Sequence, residues 1–319
     1  MWEPLGLSCV GTAIMDIITV RHQTRYCYAR PVGFGEHRLM LRPRESFDQH
    51  VLDYRLTIRP EPVDLRYIHD VFGNTIGVAR FAAQANELVF ESFVRLEHTP
   101  ERSLDDPSDP GLARNSYPFA YAESDLPDLH ASLLRVSGAE GQVLRKWATR
   151  FLDNLPKVDA PHVLSAMTHA IHDEFEYAGR VFGPPQKPVE TLRLGRGTCR
   201  DFAVLMLEAV RSLGLAARYV SGYLHVPPRE WPGTTRQGGG NTHAWIRVFL
   251  PQGGWAEYDP TNGLVGNRDL IRVAVVRDPA QASPLAGVFE GSAEDFLAMD
   301  VEVDVVVERP GRSRLEGQQ

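Results

Sequence analysis

The chain has 319 residues and a formal net charge of −7, with 34 Lys and Arg against 41 Asp and Glu and no basic block, which excludes a nucleic-acid partner. Its 43% hydrophobic and 24% charged residues are ordinary for a globular protein, and the length suffices for two cores. Cys9, Cys27 and Cys199 are too few and too scattered for a disulfide framework or a cysteine metal site, and they fit a reducing, cytoplasmic setting.

MWEPLGLSCVGTAIMDII is broken by Glu3 and Asp16 and reads as neither a signal peptide nor a membrane span, so no membrane partner is expected. Residues 1–14 are expected to be a disordered extension. Short strand patterns follow. ITVRHQTRYCYA (18–29) precedes PVGFGEHRLMLRPR, where Gly33 and Gly35 predict a turn. HVLDYRLTIRPEP (50–62) alternates, and Gly73-Asn74 lies between apolar runs like a hairpin turn. With NELVFESFVRLEH (86–98) these segments predict an N-terminal antiparallel β-sandwich over residues 15–100, with no catalytic cluster in it.

Residues 101–135 are proline-rich and acidic, the pattern of a linker draped over a neighbouring surface. Helical spacing follows in LHASLLRVSGAEGQVLRKWATRFLDNL and in PHVLSAMTHAIHDEFEY (161–177). CRDFAVLMLEAVRSL (199–213) is apolar around nearly its whole circumference, which predicts a buried helix stopped by Gly214. ARYVSGYLHV, THAWIRVFL and WAEYDP then read as strands. Helices followed by antiparallel strands give an α+β core over 136–309, with a disordered tail at 310–319.

Cys199 falls at the first turn of its helix, behind Gly195 and Gly197. Exposed N–H groups and the positive end of the helix dipole favour a thiolate there and can hold an oxyanion. A lone buried cysteine has a plain alternative, as a small packed hydrophobe. His243 opens the strand THAWIRVFL. Asp259 lies in WAEYDPTNG. If the hairpin between them centres on Pro251, the two stand opposite each other on one face, close enough for a carboxylate to hold an imidazole. Cys199 would then be the nucleophile, His243 the proton carrier and Asp259 the group that orients the ring.

The stretch GRGTCRDFAVLMLEAVRSLGLAARYVSGYL, followed by THAWIRVFLPQGGWAEYDPTNG, resembles the bacterial transglutaminase-like superfamily. The shared pattern is G-x-C-x-D, G-L-x-A-R-x-V-S-G-Y, H-A-W and G-W-x-x-x-D-P-T. RPVGFGEHRLMLRPRESFDQHVLDYRLTIRPEP and FGN resemble the β-domain that precedes this core in bacterial members. The likeness spans about residues 16–309. It implies an α+β fold with an N-terminal antiparallel β-sandwich and a papain-like core of helices packed on an antiparallel sheet, carrying the triad Cys199, His243, Asp259. It also implies substrate-binding roles for Tyr177, Asp201, Trp245 and Trp255. Each of these has a structural alternative: core packing for Tyr177, a first-turn carboxylate for Asp201 and sheet aromatics for the tryptophans. Pro279 stands where the family usually has tyrosine.

The loop VPPREWPGTTRQGGGN (226–241) reads either as a substrate-gating lid or as a surface insertion. His169 and His172 are three apart on a helix, but without a third spaced ligand a solvated helix face outweighs a metal site. No EF-hand loop or phosphate-binding fingerprint is present, so no metal or cofactor is expected. The leading function is a thiol-dependent acyl-transfer enzyme hydrolysing a peptide or amide bond through an acyl-enzyme, with a peptide or protein substrate. The alternatives are a protein-glutamine cross-linking transglutaminase and a catalytically idle peptide-binding scaffold.

Overall fold

The computed structural model describes residues 15–100, 116–136, 138–152, 158–180, 183–227 and 236–308. The expected extension at 1–14, the tail at 310–319, much of the 101–135 linker and residues 228–235 of the long loop lie outside them. Period-two alternation produces six strands first: β1 (Asp16–Phe34), β2 (His37–Leu39), β3 (Gln49–Arg59), β4 (Asp64–His69), β5 (Thr75–Arg80) and β6 (Ala85–His98).

A helical stretch follows, with β7 (Ser116–Tyr117), α1 (Leu126–Leu133), α2 (Gly138–Thr149), β8 (Val158–Asp159), α3 (Ala160–Glu174), β9 (Glu176–Tyr177), α4 (Pro188–Leu194), β10 (Arg196–Gly197) and α5 (Cys199–Ser212). The strands β11 (Ala217–Leu224), β12 (His243–Leu250), β13 (Gly254–Asp259), β14 (Leu264–Val265) and β15 (Leu270–Val276) build the core sheet in the order β14-β13-β12-β11-β15. The last described strands are β16 (Leu285–Ala286), β17 (Phe289–Glu290) and β18 (Phe296–Glu308).

Two sheets form the N-terminal sandwich. In one, β1 lies between β6 and β18, with β3 beyond β6; in the other the order is β16-β2-β5-β4. Tyr28, Phe34, Leu39, Ile58, Leu88 and Phe90 fill the space between them. The hairpin at Gly73-Asn74 joins β4 to β5, and Gly73 has φ +74°. Gly33, expected in a turn, instead lies inside β1 beside Glu290, where an added Cβ would come within 2.6 Å of a carboxylate oxygen. Close approach of two strands, rather than a bend, accounts for that glycine.

Strand β18 pairs with β1 from Ile17↔Glu308 to Tyr28↔Phe296, so a segment placed in the core by its position in the chain completes the sandwich. Alternation fixes which face of a strand is buried but not which strand it joins, and a partner some 270 residues away leaves no local signal. Residues 116–121 are strapped onto the core. Tyr117 Oη donates to the Leu213 carbonyl (2.8 Å), and Tyr121 Oη donates to the Phe249 carbonyl (3.0 Å).

The sandwich rests on the core through Ile18, Val20, Val94 and Leu96, packed against Tyr223, Ile271 and Val273. A buried ionic network crosses the same boundary. Arg272 of β15 donates to Asp48 of the sandwich (2.5 Å) and to Glu257 of β13 (2.7 Å), and Asn267 Nδ2 also donates to Asp48 (2.5 Å). Behind the core sheet, α5 is buried along its length, including Glu208 and Arg211, which neutralise each other at 2.8 Å. Gly214 follows it with φ +84°, the left-handed residue that the sequence predicts as its stop.

Candidate active site

Thr198 caps α5. Its Oγ1 accepts from the Asp201 amide (3.4 Å), while Asp201 Oδ2 accepts from the Thr198 amide (2.8 Å), forming a capping box. This fixes the helix start one residue before Cys199, so the thiol occupies the first turn, where backbone N–H groups have no intrahelical acceptor. Cys199 is buried, with 7% of its surface exposed at the floor of a cleft of about 710 Å³. Parallel pairing of β9 with β10 sets Tyr177 beside Gly197, and Tyr177 lines the same cleft. Burial, with Cys199 next to it, pushes the Tyr177 hydroxyl up to about 12, so it stays protonated.

His243 and Asp259 meet as expected, though in a different register. The loop Pro251–Gly253 closes on the pair Leu250↔Gly254, with Gly254 at φ +69°. The pairing Ile246↔Tyr258 then puts Asp259 level with Trp245, two residues from the expected partner. A shift of two keeps both side chains on one face, and the diagonal contact is made: His243 Nε2 donates to Asp259 Oδ2 at 2.8 Å. The three-residue turn with a left-handed glycine explains the shift.

With Nε2 occupied, Nδ1 is the ring nitrogen left over; it has no hydrogen-bond partner among the described residues, and Cys199 lies near enough to act on the ring. Burial alone pushes the imidazole pKa down. The Asp259 charge and hydrogen bond, with the Cys199 thiol, more than reverse this and raise it to about 10. Asp259 is equally buried, and burial opposes its ionisation. The His243 charge and hydrogen bonds from His243, Asn262 and the Thr261 amide hold it below the ordinary carboxylate value.

The other expected site residues are placed differently. Asp201 is fully buried beneath the cleft, where it also accepts from Arg180 (3.0 Å) and from the Gln186 amide (2.6 Å), bracing two residues of the cleft wall. Trp245 lies behind His243, stacked at 6.0 Å and 26°, with its Nε1 donating to Glu257 (2.9 Å). Trp255 is not brought to the site; it packs on Phe249 under the Arg218 guanidinium. His172 Nδ1 donates to the Thr261 carbonyl (2.9 Å), and among the described residues no group of three or more His, Cys, Asp or Glu is arranged to hold a metal.

Two neighbours of the His243–Asp259 pair escape the sequence reading. Asn262 Nδ2 donates to Asp259 Oδ2 (2.8 Å) and to the Gln237 carbonyl (3.2 Å), and its Oδ1 accepts from the Gln237 amide (2.7 Å). It thus ties the carboxylate to the loop before His243. Gly238 of that loop, at φ +83°, lies against the imidazole, where an added Cβ would be 3.0 Å from Nδ1. Asn262 has a sequence signal, an amide three residues after the carboxylate in DPTN, but nothing in the sequence brings Gln237 to it.

Comparison with known proteins places these features in a family. Residues 18–97 match the bacterial transglutaminase-like N-terminal region, and residues 149–260 match the transglutaminase-like superfamily. An uncharacterised protein of Mycobacterium tuberculosis (strain H37Rv) is 32% identical over 300 residues, covering 90% of this chain and 91% of its own. The chain belongs to the transglutaminase-like superfamily. A second uncharacterised member, from Mycobacterium leprae, is 29% identical over 285 residues, covering 89% of this chain and 97% of its own. A solved structure, a candidate cysteine protease from Cytophaga hutchinsonii, superposes with a TM-score of 0.66 at 18% identity, covering 92% of this chain and 91% of its own. At that identity the agreement establishes the superfamily fold: sandwich first, helices on an antiparallel sheet second.

Proposed function

We propose that the protein is a cysteine hydrolase that cleaves a peptide or amide bond through an acyl-enzyme. The observation that carries this reading is that Cys199 and His243 line one cleft, with Asp259 bonded to His243 behind it and that pair fully buried. Cys199 Sγ attacks the scissile carbonyl carbon with its proton already held on His243 Nδ1. His243 then gives that proton to the leaving amine as the C–N bond breaks. A water molecule, deprotonated by His243, attacks the thioester and releases the acid, restoring the sulfur with the proton on His243. First-turn amides of α5 are suited to the oxyanion, and Tyr177 closes the cleft beside it.

Water is the acceptor that needs no pocket of its own, whereas an amine substrate would need one; hydrolysis is therefore the leading reaction. The Cytophaga hutchinsonii neighbour, a candidate cysteine protease of this fold, agrees with that reading. Sparse free cysteines fit a reducing compartment, and we place the enzyme in the cytoplasm on that basis. Among the described residues no helix is long and apolar enough to cross a membrane.

The test is iodoacetamide labelling followed by peptide mass spectrometry, with Cys9 and Cys27 as internal controls. Cys199 labels faster than both, slows at least about tenfold in His243→Ala, and Cys199→Ala abolishes hydrolysis of a peptide library. Labelling at the control rate and insensitive to His243 would leave the reading without a mechanism. Incorporation of an amine in preference to water would make it a transferase.

A further inference from the structure

The cleft above Cys199 has walls from two domains. The core supplies Tyr177, Arg180, Arg200 and residues 183–187; the sandwich supplies Thr24 and Tyr26 from β1 with Met299 and Val301 from β18. These four are register partners, Thr24 opposite Val301 and Tyr26 opposite Met299, so they project from one face as a contiguous patch. Tyr26, Met299 and Val301 are only half-buried, leaving apolar surface turned into the cleft. His22, next on that face, brings no charge. Its ring nitrogens are taken by Tyr223 Oη (3.0 Å) and Thr24 Oγ1 (2.9 Å), and burial pushes its pKa down to about 4. Among the described residues, no Asp, Glu, Lys or Arg of the β1–β18 wall lines the cleft.

This wall stands on the His243 side. The Val303 amide of β18 donates to the Gly240 carbonyl (3.0 Å), Gly238 of the same loop touches the imidazole, and Asn241 and Thr242 line the cleft between them. In acyl transfer His243 must reach the nitrogen of the departing amine while Cys199 holds the acyl carbon. The chain beyond the scissile bond therefore leaves past His243, towards β1 and β18.

We propose that the N-terminal sandwich forms the leaving-group subsite, and that it selects peptides whose residue immediately after the scissile bond is large and apolar. This rests on the acyl-transfer reading above. Thr24, Tyr26, Met299 and Val301 are its specificity-determining residues. An acidic or basic side chain at that position would be desolvated against them without a partner.

The test uses the full chain and paired peptides carrying Leu or Glu immediately after the cleaved bond. Wild type prefers Leu by at least about tenfold in kcat/KM, and Met299→Lys brings the ratio to unity or inverts it. A ratio between two substrates on one enzyme is independent of the fraction folded. Binding of the same peptides to Cys199→Ala, followed by fluorescence anisotropy, separates the two ideas. Leu-selective binding that Met299→Lys removes, with no turnover by wild type, keeps the subsite and overturns the hydrolase. Turnover with equal ratios, or with selectivity that Met299→Lys leaves intact, overturns the subsite and keeps the hydrolase. Neither selective binding nor turnover overturns both.

Discussion

At His243 burial and charge pull in opposite directions, and charge wins. The Asp259 carboxylate, 2.8 Å away and shielded from water, keeps the ring protonated to about pH 10. Because the folded value lies above the unfolded 6.5, this pairing stabilises the fold fully below about pH 6.5 and is lost as pH rises through about 10. In the proposed reaction the same proton serves the leaving amine, so kcat should hold in mild alkali and fall near pH 10. In Asp259→Asn the alkaline limb should move down by more than one pH unit; a pH–rate profile on a chromogenic amide decides it. Asn262 acts one step out. Asn262→Ala leaves Asp259 with one fewer hydrogen bond and releases Gln237, and should lower kcat about ten- to a hundredfold through misplacement of the imidazole. A KM little altered would mark it as a positioning residue, and unchanged kinetics would remove it from the site. Cys199, His243 and Asp259 were legible as candidates because each sits in its own short motif. Asn262 was not, because its role depends on a loop some 25 residues earlier folding back onto it.

Elements decide whether those residues meet. Helix α5 was legible from its all-round apolarity and its capping residues, and the strands β11, β12 and β13 from their alternation. The β12–β13 register was not, since PQGG accommodates more than one turn and only the left-handed Gly254 fixes a three-residue loop. The reading survived because a slip of two preserves the face; a slip of one would have put Asp259 on the opposite side. A second glycine holds the sheet together. Gly222 pairs with His243 on β12, and a Cβ there would be 2.0 Å from the Ile271 carbonyl and 2.8 Å from the Trp245 ring. Gly222→Ala must therefore push β15 away or displace the indole stacked on His243. A loss of about 1–3 kcal/mol in urea unfolding is expected, accompanied by slower Cys199 labelling. Wild-type labelling in a destabilised variant would show that β15 yields and Trp245 does not.

Across the whole molecule the sandwich is joined to the core by packing and by the Arg272 network. Asp48 and Glu257 both accept from that guanidinium, which is 2% exposed, and Glu257 also lies 3.4 Å from Arg247. Arg272→Met would leave Asp48 without its cation and Glu257 with Arg247 alone, and should cost about 3–5 kcal/mol, read from the shift of the urea midpoint. Asp48→Asn in the same background should recover part of it, because an amide carries no charge to bury. Composition and alternation announced two domains and a sandwich, but not that the last described strand belongs to the first sheet. Nor could they announce that one wall of the cleft comes from each domain. Both facts are pairings between distant segments, which periodicity does not encode.

The pairing of β18 with β1 also bears on how the protein is made. The free edge of β1 is covered only when residues 296–308 arrive, about 260 residues after Phe34. At about 5–20 residues per second of synthesis, that edge waits roughly 13–50 s on the ribosome, open to any passing strand. The same delay has a protective side: until β18 docks, one wall of the cleft is missing. Cys199 and His243 are therefore synthesised about 97 and 53 residues before the strand that completes that wall begins.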